Sequence, residues 1–318
     1  MTLLFPDSTE SIDLSSRYGY DKWLVSRFLE FVPNVEDLLE KMESPPTQYI
    51  RVNTLKTCVK VLETRLHSKG FQLERTAIPE VLAVREAPMP AGATNEYLFG
   101  YYYIQDLSSC MSVDALDVCE NQSTLDIAAA PGGKTTFMAQ RMRNTGSIIA
   151  LEASERRARS MLFNLARCGV YNTCILKMDG IQAEKLGRKF DRVLLDAPCS
   201  CEGVIAKDAT RKTSHTPQDV DYCSGRQDKL IETAAKVVKP GGILVYSTCS
   251  FAPEENEMVI DRLLKKFPNI TTEPLKYGTA GLTRFGDMTF DSQLKNTRRL
   301  YPHLHDTTGF FIARLRIN

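Results

Sequence analysis

A chain of 318 residues, 25 % charged and 43 % hydrophobic, has length for one large or two modest domains and ample apolar content for a core. That composition excludes a disordered or collagen-like bulk. Forty basic and 39 acidic residues leave a net charge of +1, which argues against attachment to nucleic acid by overall charge. The average hides a gradient: residues 1–105 carry 11 basic and 14 acidic residues, and residues 106–318 carry 29 and 25. The cysteine count, nine, is odd. With no basic-plus-apolar leader at the start and no run of about 18 apolar residues, the sequence predicts a membrane-free, cytoplasmic protein whose thiols stay reduced.

In chain order, residues 16–42 place Trp23, Val25, Phe28, Leu29, Val35, Leu38 and Leu39 at helical spacing, broken by Pro33. Ser44-Pro45-Pro46-Thr47 punctuates this helical segment, assigned to 1–45. A strand at 49–52, a helix closing at Gly70 and strands near 71–73 and 81–84 predict a small α+β domain over 46–105. Beyond it, strands and helices alternate. Strands are expected at 123–127, 147–152, 173–178, 192–196, 243–247 and 310–316. Helices are expected at 135–142, at 154–168 before Gly169, at 226–238 before Pro240-Gly241-Gly242, and at 254–267. The repeated βα units predict an α/β, Rossmann-like, doubly wound parallel sheet over 106–318, with ligands at the carboxyl ends of its strands.

The run Ala128-Ala129-Ala130-Pro131-Gly132-Gly133-Lys134-Thr135 lies between a strand and a helix. Glycines there let a ligand approach the backbone, and the helix N-terminus favours negative charge. Gly133-Lys134-Thr135 fits the tail of a P-loop, and the strand ending at Asp196 resembles an NTPase acidic strand, but Ala128 stands where the first P-loop glycine belongs. The dinucleotide fingerprint of three spaced glycines is absent. An adenosyl cofactor is the better reading. Glu152, at the end of the next strand, is placed for ribose hydroxyls, and Asp179 after the following strand for adenine. Each acid alone could equally be a solvated loop residue.

Asp196-Ala197-Pro198-Cys199-Ser200-Cys201 and Ser247-Thr248-Cys249-Ser250 follow two predicted strands. A single strand-end cysteine is more often inert than reactive. Cys199 and Cys201 with the distant Cys223 lack paired zinc-ligand spacing, and the four histidines form no metal-binding helix motif; the sequence predicts no metal. Methylation of a ring carbon would use this set. Carbon 5 of cytosine is a poor nucleophile until a thiolate adds at carbon 6, an acid helps as charge develops on the ring, and a base later removes the carbon 5 proton.

LDIAAAPGGKT (125–135), LEAS (151–154), LLDAPCSCEG (194–203), CSGRQ (223–227), KPGGILVYSTCS (239–250) and RLYPHLHDTTGFFIARL (299–315) resemble the motif series of the Nop/Sun family of RNA 5-methylcytosine methyltransferases. RVNTLK (51–56) and GYYYIQDLSS (100–109) are similar to that family's N-terminal RNA-binding unit and the lead into its catalytic domain. The likeness covers residues 45–317. It implies a class I methyltransferase sheet, an RRM-like N-terminal domain and S-adenosylmethionine as cofactor. By matching positions, it implies Cys249 as nucleophile and Cys199 as the cysteine that assists product release. Asp196 would touch the target cytosine, Ala128–Lys134 would form the cofactor loop with Lys134 also near the base, and Glu152 and Asp179 would take ribose and adenine. Ala128 departs from the family's frequent cysteine, at a position where backbone makes the contact, and Glu152 replaces a more frequent Asp while keeping the carboxylate.

A base within a helix cannot present carbon 6, so the target must be single-stranded or flipped out. Candidate RNA contacts are Arg51, Arg141, Arg143, Arg211, Lys212, Arg298 and Arg299, with Tyr101, Tyr102 and Tyr103 as stacking groups or packing between domains. The short chain favours tRNA over rRNA as substrate and an archaeal-type monomer without an obligatory protein partner. The alternatives are a noncatalytic RNA-binding or ribosome-assembly factor on the same scaffold and, more distantly, a P-loop NTPase.

Overall fold

Ser8 and Ser11 exchange capping hydrogen bonds that start helix α1 (Thr9–Tyr18), and Gly19, in the left-handed region, ends it. Helices α2 (Lys22–Phe31) and α3 (Val35–Met42) follow, so the opening segment breaks at Gly19 as well as near Pro33. Next come β1 (Gln48–Val52), α4 (Val59–His67), β2 (Gln72–Arg75), β3 (Val81–Glu86), α5 (Asn95–Leu98) and β4 (Tyr102–Ile104). The alternating region holds α6 (Leu107–Leu116), β5 (Ser123–Ile127), α7 (Gly133–Arg141), β6 (Ser147–Glu152), α8 (Glu155–Cys168), β7 (Thr173–Lys177) and β8 (Phe190–Asp196). It continues with α9 (Arg211–Ser214), α10 (Pro217–Lys236), β9 (Val238–Thr248) and α11 (Glu257–Lys266). The chain ends through β10 (Ile270–Glu273), β11 (Thr279–Ala280), β12 (Arg284–Phe285), β13 (Met288–Thr289), β14 (Arg298–Leu300), α12 (Pro302–His305) and β15 (Phe310–Ile317). Strands β5 and β6 match the expected bounds, and α8 carries the expected caps: Ser154 accepts from Arg157 N, and Gly169 is left-handed.

The computed structural model describes residues 2–318, in two units each made of separate stretches of chain. Unit 1 takes the chain up to Pro46, Ala197–Glu232 and Ser247–Leu315; unit 2 takes Thr47–Asp196, Thr233–Tyr246 and Arg316–Asn318. No helix is long and apolar enough to cross a membrane among the described residues.

Unit 2 contains the small expected sheet and five strands of the larger one; the strand expected at 310–316 lies almost wholly in unit 1 and pairs antiparallel with β14, so the sheet is mixed rather than all parallel. The small one is antiparallel, in the order β2-β3-β1-β4, and buries Ile50, Val52, Leu62, Leu66, Phe71 and Leu82. The larger series has the order β9-β8-β5-β6-β7, with β8, β5, β6 and β7 pairing in parallel. Its order steps outward in both directions from β5, so the carboxyl end of β5 is the topological switch point where ligands of such sheets bind.

Arg51, expected to meet RNA phosphate, instead lies fully buried in this unit. Its guanidinium donates to Gly133 O at 2.7 Å and Thr136 Oγ1 at 2.8 Å and stands 4.8 Å over the Phe137 ring. A planar fork of donors satisfied this way ties β1 to the first turn of α7. Tyr102 is likewise a core residue, its hydroxyl donating to Ala91 O at 2.6 Å, which removes it as a base-stacking group.

Unit 1 gathers α1–α3, the thiol-bearing loops and the antiparallel pair β14 and β15. Arg299, the other buried member of the expected RNA set, is 2 % exposed; its Nε donates to Glu257 Oε1 at 2.7 Å and its Nη1 to Phe251 O at 2.8 Å. Arg27 pairs with Glu254 at 2.6 Å in a second buried ion pair. Removing one partner of such a pair leaves a stranded charge and costs about 3–5 kcal/mol.

Candidate active site

β5 ends in unit 2 at Ile127, and the chain turns sharply through Ala128 (φ +65°) and Gly132 (φ +96°) into α7. A Cβ on Gly132 would lie 3.0 Å from Met161 Cγ, so the tight turn and the packing of α8 both favour glycine. Neighbouring elements hold the loop by its backbone. Ala129 N donates to Leu151 O (2.9 Å), Arg157 Nη2 to Ala130 O (2.6 Å) and Asn164 Nδ2 to Pro131 O (2.9 Å). The Ala130–Pro131 peptide is cis. Beneath the loop, Thr135 Oγ1 donates to Asp126 Oδ2 at 2.5 Å, and burial pushes the Asp126 carboxyl up to about 7.

Glu152 closes β6 with 3 % exposure. Its Oε1 accepts from Ser154 N at 2.8 Å, whereas Oε2 is buried without a hydrogen-bond donor and faces Arg157 Nη1 at 3.6 Å. A buried acceptor with unused capacity is what a ribose hydroxyl would satisfy. Asp179 lies just past β7, where Oδ1 accepts from Ile181 N at 3.1 Å. Lys134, in the first turn of α7, donates to Asp196 Oδ2 at 2.6 Å and Ser109 Oγ at 3.3 Å. The two polar residues expected at the base are therefore an ion pair, with side chains 13 % and 32 % exposed.

The thiols belong to unit 1. Cys199 lies three residues beyond β8, and Cys249 directly follows β9; their Sγ atoms are 3.2 Å apart. Two buried carboxylates fix both loops. Glu255 accepts from Ser200 N (3.0 Å), Ser200 Oγ, Ser250 Oγ (2.7 Å) and Gln227 Nε2 (2.7 Å). Glu202 accepts from Phe251 N (3.1 Å) and is hydrogen-bonded to His215 Nε2 (3.0 Å). Burial pushes Glu255 up to about 7, with the charge of Glu202 adding to the effect. For His215, burial opposes protonation, but the bond to Glu202 outweighs it and raises the imidazole.

Sulfur chemistry here is shared. Hydrogen bonds among the thiols hold Cys201 well below the usual thiol range and push Cys199 well above it. Backbone completes the arrangement: Gly203 N donates to Cys249 O and Gly309 N to Gly203 O, both at 2.8 Å. A Cβ on Gly203 would stand 2.3 Å from Gly309 O.

The predicted site residues thus fall into a loop with two strand-end acids (128–134, 152, 179), an ion pair (134, 196) and a thiol pair (199, 249). Glu202, Glu255, His215 and Gln227 were not anticipated. Their signal was the polar run Glu254-Glu255-Asn256-Glu257, read only as the start of a helix but wholly buried, no member exceeding 1 % exposure. Of the other proposed RNA contacts, Arg141 pairs with Glu80 and Asp114, Lys212 with Glu43 and Arg211 with Asp208, while Arg298 donates to Leu275 O; Arg143, 79 % exposed, reaches Glu120.

With a glycine turn at the switch point and a partly unsatisfied acid closing the next strand, the scaffold is that of the class I methyltransferases. The family described as 16S rRNA methyltransferase RsmB/F matches residues 113–316, and the ferredoxin-like domain of the same proteins matches residues 20–89. The chain belongs to this RsmB/F family of methyltransferases.

A methyltransferase homolog from Pyrococcus horikoshii is 41 % identical, with 98 % of this chain and 100 % of that one covered and a TM-score of 0.90. A 28S rRNA (cytosine-C(5))-methyltransferase of Mus musculus is 43 % identical over 314 residues, which span 96 % of this chain but 40 % of the relative. The ribosomal RNA small subunit methyltransferase F of Vibrio vulnificus is 38 % identical over 89 % of this chain and 60 % of its own length. The chain therefore spans less than two thirds of each of those two curated relatives.

Proposed function

We propose that this protein methylates carbon 5 of cytosine in RNA, with ribosomal RNA as its substrate class. The observation that carries the reading is the pair of thiols 3.2 Å apart, each just past the carboxyl end of a sheet strand. The loop 128–134, the unsatisfied Glu152 and Asp179 would hold S-adenosylmethionine, which supplies a methyl group to carbon 5.

In this reading Cys249 Sγ, as thiolate, bonds to carbon 6 of a flipped-out cytosine, and the electron pair displaced from the 5,6 double bond makes carbon 5 nucleophilic. Asp196, oriented by Lys134, hydrogen-bonds the ring as charge develops. After methylation a base takes the carbon 5 proton, the double bond re-forms, and the carbon 6–sulfur bond breaks to return the Cys249 thiolate. Cys199 assists that release. The small α+β domain over 46–105 helps position the RNA.

The ribosomal assignment rests on the names of the mouse and Vibrio relatives; the tRNA preference expected from chain length has no such support. Cys249→Ala is expected to abolish methyl transfer to ribosomal RNA transcripts, and Cys199→Ala to accumulate protein–RNA adducts that survive denaturing gels. Wild-type turnover by Cys249→Ala would overturn the assignment. Bisulfite sequencing of RNA from a deletion strain is expected to show a methylation lost from ribosomal RNA; loss confined to tRNA would restore the other substrate.

A further inference from the structure

Three thiols, not two, meet at the ends of the two loops. Cys201 Sγ lies 3.9 Å from Cys199 Sγ, Cys199 Sγ lies 3.2 Å from Cys249 Sγ, and all three sulfurs fall within 4.8 Å of one another. A tetrahedral ion with metal–sulfur bonds of about 2.3 Å keeps its sulfurs about 3.8 Å apart, so the cluster is dimensioned for one such ion with little movement. We propose that Cys199, Cys201 and Cys249 form a reversible binding site for a single thiophilic d10 cation, Zn²⁺ by chemical class. Occupation of that site would mask the Cys249 sulfur.

The ligand set escapes a spacing argument because the fold replaces the distant Cys223 with Cys249, 48 residues from Cys201 in the chain. Cys201 supplies the independent observation. Its backbone is left-handed (φ +66°), a conformation that disfavours a side chain and suits glycine. Its sulfur lies 3.2 Å from Cys199 O and within 4.8 Å of the other two sulfurs. The strained position thus places a thiol among thiols.

All three cysteines are half-buried, so an ion has access, while Glu255 and Glu202 hold the loops. Three protein ligands leave the fourth tetrahedral position to water, as in open zinc sites. Each coordinating thiol gives its proton to solvent, no electron is transferred, and a chelator reverses the step. The inhibitory consequence rests on the nucleophile role proposed above; the binding itself does not.

The test titrates reduced, metal-free full-length protein with Cd²⁺, following the sulfur-to-cadmium charge-transfer band, and then displaces it with Zn²⁺. One equivalent is expected to saturate the band. Cys201→Gly, which relieves the left-handed backbone, and Cys201→Ser, which keeps the side-chain size, are each expected to weaken Cd²⁺ binding at least ~10-fold. Both should retain methyl transfer in metal-free buffer, and wild-type transfer should fall with Zn²⁺ and return with chelator. No saturable band, or undiminished affinity in both Cys201 variants, overturns the site. A saturated band with undiminished methyl transfer overturns the masking while leaving the site, and a saturated band in a protein without methyl transfer counts against the catalytic reading alone.

Discussion

Asp126 sits one residue before the end of β5 with 1 % of its surface exposed, and its carboxyl titrates near 7 because burial penalises the charged form. The folded state therefore holds this proton more tightly than the unfolded chain does. Its stabilising contribution is complete below the unfolded carboxyl value of about 4 and is lost as pH rises towards 7. Asp126→Asn keeps an acceptor for Thr135 and removes the titration. Urea denaturation at pH 5 and pH 7 is expected to show the wild-type stability difference shrinking in the variant by ~2–3 kcal/mol. The role of Asp126 was invisible from the sequence, where it is one polar residue in a short strand. Lys134 and Asp196 were legible in place because strand–turn grammar puts one in the first helical turn after β5 and the other at the end of β8. Cys201 and Glu255 were not, since their partners lie 48 and 55 residues away along the chain and no local period encodes such contacts.

The elements that read clearly have their signals within themselves. Strands β5 and β6 alternate with marked turns, and α8 carries a serine N-cap and a left-handed glycine after its last turn. Reading fails where a breaker is overruled. Helix α10 begins at Pro217 rather than near residue 226: proline suits a first turn, and Gly225 is tolerated inside a helix held by Ser224 and Gln227 contacts. The helix does stop before Pro240-Gly241-Gly242, as expected, but strand β9 starts at Val238 and runs through that tripeptide rather than beginning at Ile243, from which its apolar residues are buried. The loops after β8 and β9 show what an element boundary does for chemistry. Gly203 lets the first loop touch Gly309 while it bonds Cys249 O. Gly203→Ala forces those backbones apart, with an expected loss of ~1–3 kcal/mol in thermal unfolding. Single-turnover methyl transfer should fall by about 10²-fold, the sensitivity of a reacting atom to small displacements, while RNA affinity in filter binding stays unchanged.

Near-neutral charge acquires a sharper meaning for the whole molecule once Arg51 and Arg299 are seen to be buried. Five of the seven expected RNA contacts remain, and each already has an acidic or carbonyl partner within the protein. The dependence of log affinity on log salt for single-stranded RNA should be no steeper than about −3.5, measured by fluorescence anisotropy between low and physiological salt. A steeper slope would mean that phosphate is met by basic residues outside the expected set.

The division of each unit among distant stretches of chain also has a consequence in time. Arg27 leaves the ribosome long before its counter-ion Glu254, 227 residues later. At about 5–20 residues per second, helix α2 waits roughly 10–45 s for the carboxylate that neutralises it. During translation the first-made helices are thus completed late, and a nascent chain halted before residue 254 carries Arg27 without its carboxylate. Such a product is a natural client for chaperones and quality-control proteases, which makes the second half of the message the arbiter of whether the first half survives.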